Sequence, residues 1–480
     1  MNLSLLTLEI AVLALALAIL LIDLWTPHEF QHRLGYVALA GLLIIFAASF
    51  LGAGGGPAAT GFHGMYVQDG LALFFKRLFL VSAIFVVLMG VEFSGRIAMG
   101  IGEFYTVILL ALAGMMFAAS ANDLVMVFVA LELISISFYI LVSFHRSRMH
   151  SLEAGVKYLI LSALAAAVLV FGIALIFGAA NSTGFADLSA QGERLTGDKV
   201  FWLGMLLVLL GLAFKISAFP LQMWAPDVYQ GAPTPVTAFL AMGSKAAGFV
   251  LLLRVLFVAA PALAAQWDKL LILAAAITIL YGNLCAIPQR NLKRLLGYSS
   301  IANAGYMLLG VAALNADGSA AVLYYLTGYL FTLAVAFAVI CIVARESEDI
   351  ASLAGLGQRS PFLALSMTLA MVSLAGLPPM AGFLGKFLLL RAVIQRAALN
   401  PAYFCLAAVT IIGVVISIYF YFGVIRAVYW SKEPADLSPI VVSLPMKISL
   451  GVCVLAMLYL GIYPGPVLAS ATEAVKALRF

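Results

Sequence analysis

The chain of 480 residues is 65% hydrophobic and only 10% charged, and its formal net charge is +5. Soluble proteins contain roughly 45–50% apolar and about 25% charged residues, so this composition excludes a soluble fold. The basic residues stand singly or in pairs and form no dense run, which excludes nucleic acid as a partner.

Apolar runs of 17 residues or more, separated by polar residues or by Gly and Pro, predict an all-α membrane protein with about fourteen transmembrane helices. The first run is the least regular, because Glu9 interrupts it. No Lys or Arg precedes it, so we expect the first helix to be retained in the mature protein. The predicted helices cover residues 3–24, 34–52, 71–90, 101–120, 124–143, 156–178, 200–219 with a short continuation, 235–259, 268–286, 297–313, 319–344, 361–376 with a continuation to 397, 402–429 and 445–463.

An even number of helices places both termini on the same side of the membrane. More Lys and Arg residues lie in the connections on the opposite side, Arg345 and Lys432 among them. By the positive-inside rule, both termini are predicted to face the periplasm. The lack of a transit sequence favours a bacterial inner membrane.

Two predicted helices are interrupted by proline within apolar sequence, the seventh at Pro220 and the twelfth at Pro378 and Pro379. Each is the fourth helix of a group of five, helices 4–8 and helices 9–13. Because five crossings are an odd number, a second copy starts on the opposite face, which is the inverted-repeat plan of secondary transporters. Proline is also common in membrane helices, which is the plain alternative. The predicted units are 1–100 (helices 1–3), 101–260 and 261–430 (the two repeats) and 431–480 (helix 14 and tail).

Four charged residues fall deep within predicted helices: Glu132, Lys215, Lys245 and Lys386. A charge at the centre of a membrane helix costs roughly 2.5–3.5 kcal/mol, so each needs a partner, water or a function. Burial lowers the proton affinity of a lysine and a nearby carboxylate raises it, so such a set is suited to a proton relay. We hypothesise that Glu132 controls Lys215 and that Lys245 and Lys386 pass the proton laterally.

Structural explanations remain open for these charges. Glu132 could be a protonated residue that packs helices together, and Ser135 and Tyr139 share its helix face. A lysine near a helix end can extend its ammonium group to the headgroups, which is an equal alternative for Lys157. The same explanation suits four further residues that we leave outside the site: Lys76, Arg77, Arg254 and Arg391.

Five motifs identify a family. The chain resembles the antiporter-like membrane subunits of respiratory NADH–quinone oxidoreductase (complex I), in particular those of the subunit N type. The likeness covers helices 4–13, about two thirds of the chain. The motifs are LELIS (131–135), EAGVKY (153–158), GLAFKISAFPLQMWAPDVYQGAPTPVTAFL (211–240), LKRLLGYSSIANAGY (292–306) and LPPMAGFLGK (377–386).

The resemblance implies proton translocation driven by quinone reduction elsewhere in the complex. It implies relay roles for the four charges above, and it adds Lys157. Family members often carry histidine where this chain has Gln222 and Asn303, neither of which titrates near neutral pH. The implied partners are homologous antiporter-like subunits and other membrane subunits of the complex, within the lipid bilayer.

No cofactor is expected in this chain. Its four cysteines, Cys285, Cys341, Cys405 and Cys453, form no C-x-x-C pair for zinc or an iron–sulfur cluster. All five histidines lie in connections, where they could not ligate a haem within the membrane. The resemblance implies that NADH, FMN, iron–sulfur clusters and quinone are bound by other subunits.

Three other functions remain open. A subunit of a multisubunit sodium/proton antiporter shares the broken-helix and LKR motifs, although sodium prefers oxygen ligands to lysines. A membrane subunit of a hydrogenase or of a ferredoxin-linked relative would look the same, because the electron donor lies on other chains. A purely structural scaffold is disfavoured, since it needs no lysines at the centre of the membrane.

Overall fold

The computed structural model describes residues 3–51, 58–97, 99–344, 348–430 and 438–480. Arg345 and Lys432, which contributed to the predicted orientation, lie outside these residues, as does the start of the predicted unit 431–480. Within them, thirteen helices are long and apolar enough to cross a membrane. The predicted all-α, multi-pass membrane fold is confirmed.

The α-helices are numbered in chain order. The first ten are α1 (Thr7–Trp25), α2 (Leu34–Leu51), α3 (Gly70–Phe93), α4 (Ile101–Ala119), α5 (Leu124–Val142), α6 (Met149–Ala180), α7 (Phe185–Ala190), α8 (Gly192–Thr196), α9 (Lys199–Ile216) and α10 (Trp224–Gly231). The others are α11 (Thr234–Phe239), α12 (Lys245–Arg254), α13 (Pro261–Ala264), α14 (Asp268–Ala286), α15 (Leu292–Ala312), α16 (Ala316–Val343), α17 (Leu356–Arg359), α18 (Pro361–Ala375), α19 (Ala381–Ala397), α20 (Ala402–Trp430), α21 (Leu444–Ile462) and α22 (Gly465–Val475).

Several shorter elements complete the chain. Two strands, β1 (Ala59–Gly61) and β2 (Tyr66–Gln68), form an antiparallel hairpin between α2 and α3. Turns of 3₁₀ helix cover Leu3–Leu6, His28–Arg33, Ser94–Arg96, Ala265–Trp267 and Ile350–Leu353. Two π turns, Leu240–Ser244 and Val255–Ala259, join α11, α12 and the following connection into one span.

The centre of the bundle is formed by the span Thr234–Ala259 together with α15 and α16. All residues of Thr234–Ala259 except Val258 are buried, as are nearly all of those in α15 and α16. By contrast, α1, α2, α6 and α21 bury about a third of their residues or fewer and turn apolar side chains outwards. This outer apolar surface is what a lipid-facing helix requires.

The helices begin and end where local chemistry stops the hydrogen-bond ladder. Side chains accept main-chain N–H groups at the starts of several spans; Asp69, for example, accepts from the N–H of Ala72 at 2.7 Å. At the other end, α9 stops because Ser217 adopts a left-handed conformation with φ 60°, and α18 stops at Gly376 with φ 81°. These two stops directly precede the prolines that interrupt the seventh and twelfth predicted helices.

The hairpin between α2 and α3, the connection between α4 and α5 and the connection after α6 lie at the same end of the bundle as the C-terminus. We call this end the terminus face. There, Tyr66 of the hairpin bridges to Ala121, and Asp123 bridges to Gly184. The main-chain N–H of Arg479 also donates to the oxygen of Phe257 at 2.9 Å. The other end, the opposite face, contains a polar cavity of about 190 Å³.

Glycines permit a close crossing of α6 and α9. A Cβ on Gly172 of α6 would lie 2.6 Å from the carbonyl oxygen of Gly204 on α9, and a Cβ on Gly204 would lie 2.8 Å from the carbonyl oxygen of Gly172. Small residues let membrane helices approach this closely. The crossing brings Tyr158 of α6 next to Lys215 of α9.

Candidate functional site: a line of buried lysines

Lys215 lies in the last turn of α9, and its side chain is only 4% exposed. Its Nζ donates to the Oγ of Ser135 on α5 at 2.8 Å and to the hydroxyl of Tyr158 on α6 at 3.4 Å. Both partners are neutral hydroxyls. The ammonium group is therefore solvated by polar side chains of two other helices and not by a counter-ion.

Glu132 lies one turn before Ser135 on α5 and is partly buried. It lines a small cavity of about 20 Å³ together with Ser135, Ser162 and Lys215. A cavity of this size holds about one water molecule. Among the ion pairs of the described residues, none joins Glu132 to Lys215 within 4.0 Å. The two groups thus face one space without direct contact.

Lys245 is the first residue of α12, directly after a π turn, and is 2% exposed. Its Nζ donates to the main-chain oxygen of Ser300 at 2.6 Å and also contacts the Oγ of that residue. The Oγ of Ser300 lies 3.1 Å from the hydroxyl of Tyr229 on α10. Lys245 therefore connects α12 to α15 and, through Ser300, to α10.

Lys386 lies on α19, beyond the break of the twelfth predicted helix, and is 7% exposed. Its Nζ donates to the main-chain oxygens of Leu374 at 2.7 Å and Ala375 at 3.4 Å. These carbonyls belong to the last turn of α18 and have no helical N–H partner there. The ammonium group also lies 4.6 Å from the centre of the Tyr306 ring, a cation–π distance.

Polar side chains of α15 occupy the interval between Lys245 and Lys386. The Nδ2 of Asn303 donates to the oxygen of Ser299 at 2.9 Å, and its Oδ1 accepts from the hydroxyl of Tyr325. Ser299 contacts the hydroxyl of Tyr421, and Tyr306 accepts from the Nδ2 of Asn283 at 3.0 Å. Hydroxyl and amide groups thus line the bundle centre between the two lysines.

Comparison with known proteins agrees with these motifs. Residues 121–416 match the family described as NADH:quinone oxidoreductase/Mrp antiporter, TM. The chain is 41% identical to NADH-quinone oxidoreductase subunit N of Moorella thermoacetica, over 97% of this chain and 96% of that protein. It is also 41% identical to subunit N of Heliobacterium modesticaldum, with both chains covered completely.

The chain belongs to the subunit N family. A solved chain of respiratory complex I from Thermus thermophilus has the same fold, with a TM-score of 0.81 and 33% identity. The match covers 96% of this chain and 98% of that one. The resemblance stated from the motifs is confirmed. It extends beyond the predicted two thirds to nearly the whole length.

Among the predicted site residues, Lys157 differs from the others because it is exposed. Its side chain is 44% exposed, and its Nζ lies 2.7 Å from Glu153 and 3.1 Å from Asp227. Asp227 in turn contacts Arg294. Burial alone would raise the pKa of Asp227, but the hydrogen bonds from Arg294 and Lys157 hold it below its usual value. The structure brings together Glu132 and Lys215, and places Lys157 in an exposed ion-pair network.

The snorkelling interpretation of Lys76 and Arg254 is wrong. Lys76 is completely buried, and its Nζ lies 2.8 Å from Glu9 of α1. Arg254 is 1% exposed and pairs with Asp69 at 2.7 Å. Both side chains are covered by protein and satisfied by it, so neither is exposed on the outer surface of the bundle. Arg391 is exposed, as expected of a residue outside the site.

Sequence reasoning missed the polar residues that contact the lysines or bond to other polar groups of the site, namely Tyr158, Tyr229, Ser299, Ser300 and Tyr306. A signal was present for part of this set. Ser299, Asn303 and Tyr306 follow the spacing i, i+4 and i+7, which places them on one face of α15. Polar residues repeated at helical spacing inside an apolar helix indicate an internal polar surface.

Proposed function

We propose that this chain translocates protons as the subunit N-type membrane subunit of an NADH–quinone oxidoreductase, through a relay of Glu132, Lys215, Lys245 and Lys386. One observation carries the relay. Each of the three lysines is buried, yet among the described residues no carboxylate oxygen lies within 4.0 Å of its Nζ. A buried lysine without a counter-ion changes readily between its charged and neutral forms.

The proposed first step joins Glu132 and Lys215. The cavity between them has room for one water molecule, through which a proton could pass from carboxyl to amine. Ser135 and Tyr158 hold the Nζ of Lys215 in place for that exchange. Movement of the Glu132 charge relative to Lys215 changes how firmly the lysine holds its proton.

The later steps follow hydroxyl groups. Tyr158 and Tyr229 both pack against Trp224, with ring centres 5.0 and 6.3 Å from it, so they link the surroundings of Lys215 to those of Lys245. Beyond Lys245, the groups on α15 extend towards Tyr306 and Lys386. Gln222 and Asn303 serve in this proposal as hydrogen-bonding groups and not as proton carriers. Lys157 has a place only in the exposed network with Glu153 and Asp227.

The electron chemistry is proposed to lie on other subunits. The donor set of the described residues does not fit a metal or an iron–sulfur cluster. Its four cysteines are unpaired, and among the described residues no three His, Cys, Asp or Glu side chains group together. In this proposal NADH, FMN, the clusters and quinone belong to partner chains, and no step here passes through them. The partners include homologous antiporter-like membrane subunits.

The proposal includes a topology. Units 101–260 and 261–430 are two inverted five-helix repeats, flanked by units 1–100 and 431–480. The matching stops of α9 at Ser217 and α18 at Gly376 support this division. With fourteen crossings in a bacterial inner membrane, the terminus face would lie on the periplasmic side.

The test has two parts. Affinity purification of the tagged chain from its native membrane in mild detergent should bring NADH-to-quinone activity with it. In proteoliposomes of that complex, addition of NADH should then change the pH of the vesicle lumen. Replacing Lys215, Lys245 and Lys386 together by Met should lower the number of protons moved per electron pair. Lys269→Met, at an exposed lysine, is the control. Isolation with ion-transport subunits alone, without redox activity, would support the antiporter alternative.

A further inference from the structure

The helix segment that carries Lys245 lies between two π turns within a continuous span. A π turn at Leu240–Ser244 precedes α12, and another at Val255–Ala259 follows it. In the first, the N–H of Lys245 bonds to the oxygen of Leu240; in the second, that of Ala260 bonds to Val255 at 3.2 Å. Turns of this kind are rare and are frequent at functional sites. They bound α12, which is ten residues long, on both sides.

The two charged residues of α12 stand at its two ends and on opposite sides. Arg254 lies nine positions after Lys245, which is about 2.5 turns and about 14 Å of helix. Lys245 points to Ser300 of α15, and Arg254 points to α3 and α4. Every residue between them is Ala, Gly, Phe, Val or Leu. Apolar packing is non-directional, so the two ends determine the rotation and height of the segment.

Arg254 is held by three directed hydrogen bonds. Its Nε donates to the carbonyl oxygen of Ala119, the last residue of α4, at 2.8 Å. Its Nη1 and Nη2 donate to the two carboxylate oxygens of Asp69 at 3.1 and 2.7 Å. Asp69 also caps α3 by accepting from Ala72. A lysine could not make this planar, two-pronged contact.

We propose that Arg254 is a positioning residue for Lys245. Held by Asp69 and Ala119, it fixes α12 so that the Nζ of Lys245 meets Ser300 at hydrogen-bond distance. The proposal rests on the proposed function, because it assumes that Lys245 carries a proton. A misplacement of about 1 Å at a reacting group can cost as much as 100-fold in rate, so a loosened anchor affects proton transfer before it affects folding.

Two variants of the anchor test this in the purified complex in proteoliposomes. Arg254→Lys keeps the charge and loses the two-pronged contact; Asp69→Asn keeps a capping side chain for α3 and loses the charge. Arg77→Lys is the matched control, an arginine of α3 that donates to the oxygen of Ser49 at 2.9 Å and does not contact α12. We expect both anchor variants to move fewer protons per electron pair and to shift the pH profile of pumping. Arg77→Lys should change neither.

A double-mutant cycle with Lys245→Ala separates positioning from general stability. If Arg254 acts through Lys245, adding Arg254→Lys to Lys245→Ala causes no further loss of pumping; a merely structural effect adds to it. Wild-type pumping and pH profile in both anchor variants would overturn the inference, as would failure of both to assemble while Arg77→Lys assembles. Normal pumping by Lys245→Ala alone would contradict the proposed function itself and not only the positioning role of Arg254.

Discussion

Lys386 holds the end of the helix that precedes it: its Nζ donates to the main-chain oxygen of Leu374 at 2.7 Å across the break between α18 and α19. A carbonyl freed by a broken helix needs a donor inside a membrane, and here that donor is a side chain that can lose its proton. The break in the helix and the ionisable group therefore depend on each other. The same contact would change whenever the lysine changes its charge.

This contact predicts different outcomes for two replacements of Lys386. Met removes the donor and the charge, whereas Arg keeps both but does not release its proton at any working pH. If Lys386 carries a proton, both variants should lose proton movement through this chain. If it only anchors Leu374, the Lys386→Arg variant should pump as the wild type does, and that result would contradict a relay role. The measurement is protons per electron pair in proteoliposomes, with Lys269→Arg as the exposed control.

The hydroxyl beside Lys215 should affect the rate of pumping. Ser135→Ala removes the acceptor at 2.8 Å, and the loss of one such hydrogen bond, about 1 kcal/mol, should slow proton transfer about fivefold. Ser137→Ala is the matched control, because this buried serine of the same helix donates to the oxygen of Leu133 and does not contact the lysine. Equal rates in the two variants would show that Ser135 has no part in the relay.

The buried pair of Glu9 and Lys76 should be sensitive to one-sided removal. Lys76→Met removes the ion-pair partner of Glu9 at 2.8 Å, leaves only the hydrogen bond from Tyr66, and should lower the stability of the chain by roughly 3–5 kcal/mol. Replacing both, as Glu9→Leu with Lys76→Met, should recover most of that loss, because two apolar residues need no counter-ion. Thermal denaturation in mild detergent measures both variants. A double variant less stable than Lys76→Met would contradict this account.

His145, in the connection between α5 and α6, predicts a pH dependence of stability. Burial, together with the neighbouring charges of Arg148 and Lys293, lowers its pKa from 6.5 to about 4. In this interval the unfolded chain binds a proton that the folded chain does not, so stability falls as pH falls from 6.5 towards 4 and is constant above that range. His145→Gln should weaken this dependence, measured as the denaturation temperature at pH 7.5 and pH 5. An unchanged difference between the two pH values would contradict it.

Much of the fold follows from the sequence because the membrane requires long apolar runs. Thirteen of the fourteen predicted helices have a membrane-length counterpart, and the twelfth is the shorter α18, which stops at Gly376. Charges inside such runs are also visible, which is why Lys215, Lys245 and Lys386 could be chosen. The depth of a side chain in the bundle is not visible, because it depends on which helices surround it. Lys76 and Arg254 were misjudged for that reason.

The partners of the site residues depend on three-dimensional packing. Tyr158 meets Lys215 only because α6 and α9 cross closely at Gly172 and Gly204. Likewise, nothing in the sequence near Lys386 shows that its ammonium group would bind the carbonyl of Leu374. Lys157 illustrates the reverse case, since its motif matches the family and its side chain nevertheless lies in an exposed network.

The most direct test of the relay is the single variant Lys215→Ala in the purified complex, reconstituted in sealed proteoliposomes and supplied with NADH and quinone. Assembly is checked first by recovery of the full set of subunits, and protons moved per electron pair are then compared with the wild type. The account predicts an assembled complex in which proton movement through this chain is abolished. Wild-type proton movement in the assembled Lys215→Ala complex would contradict it.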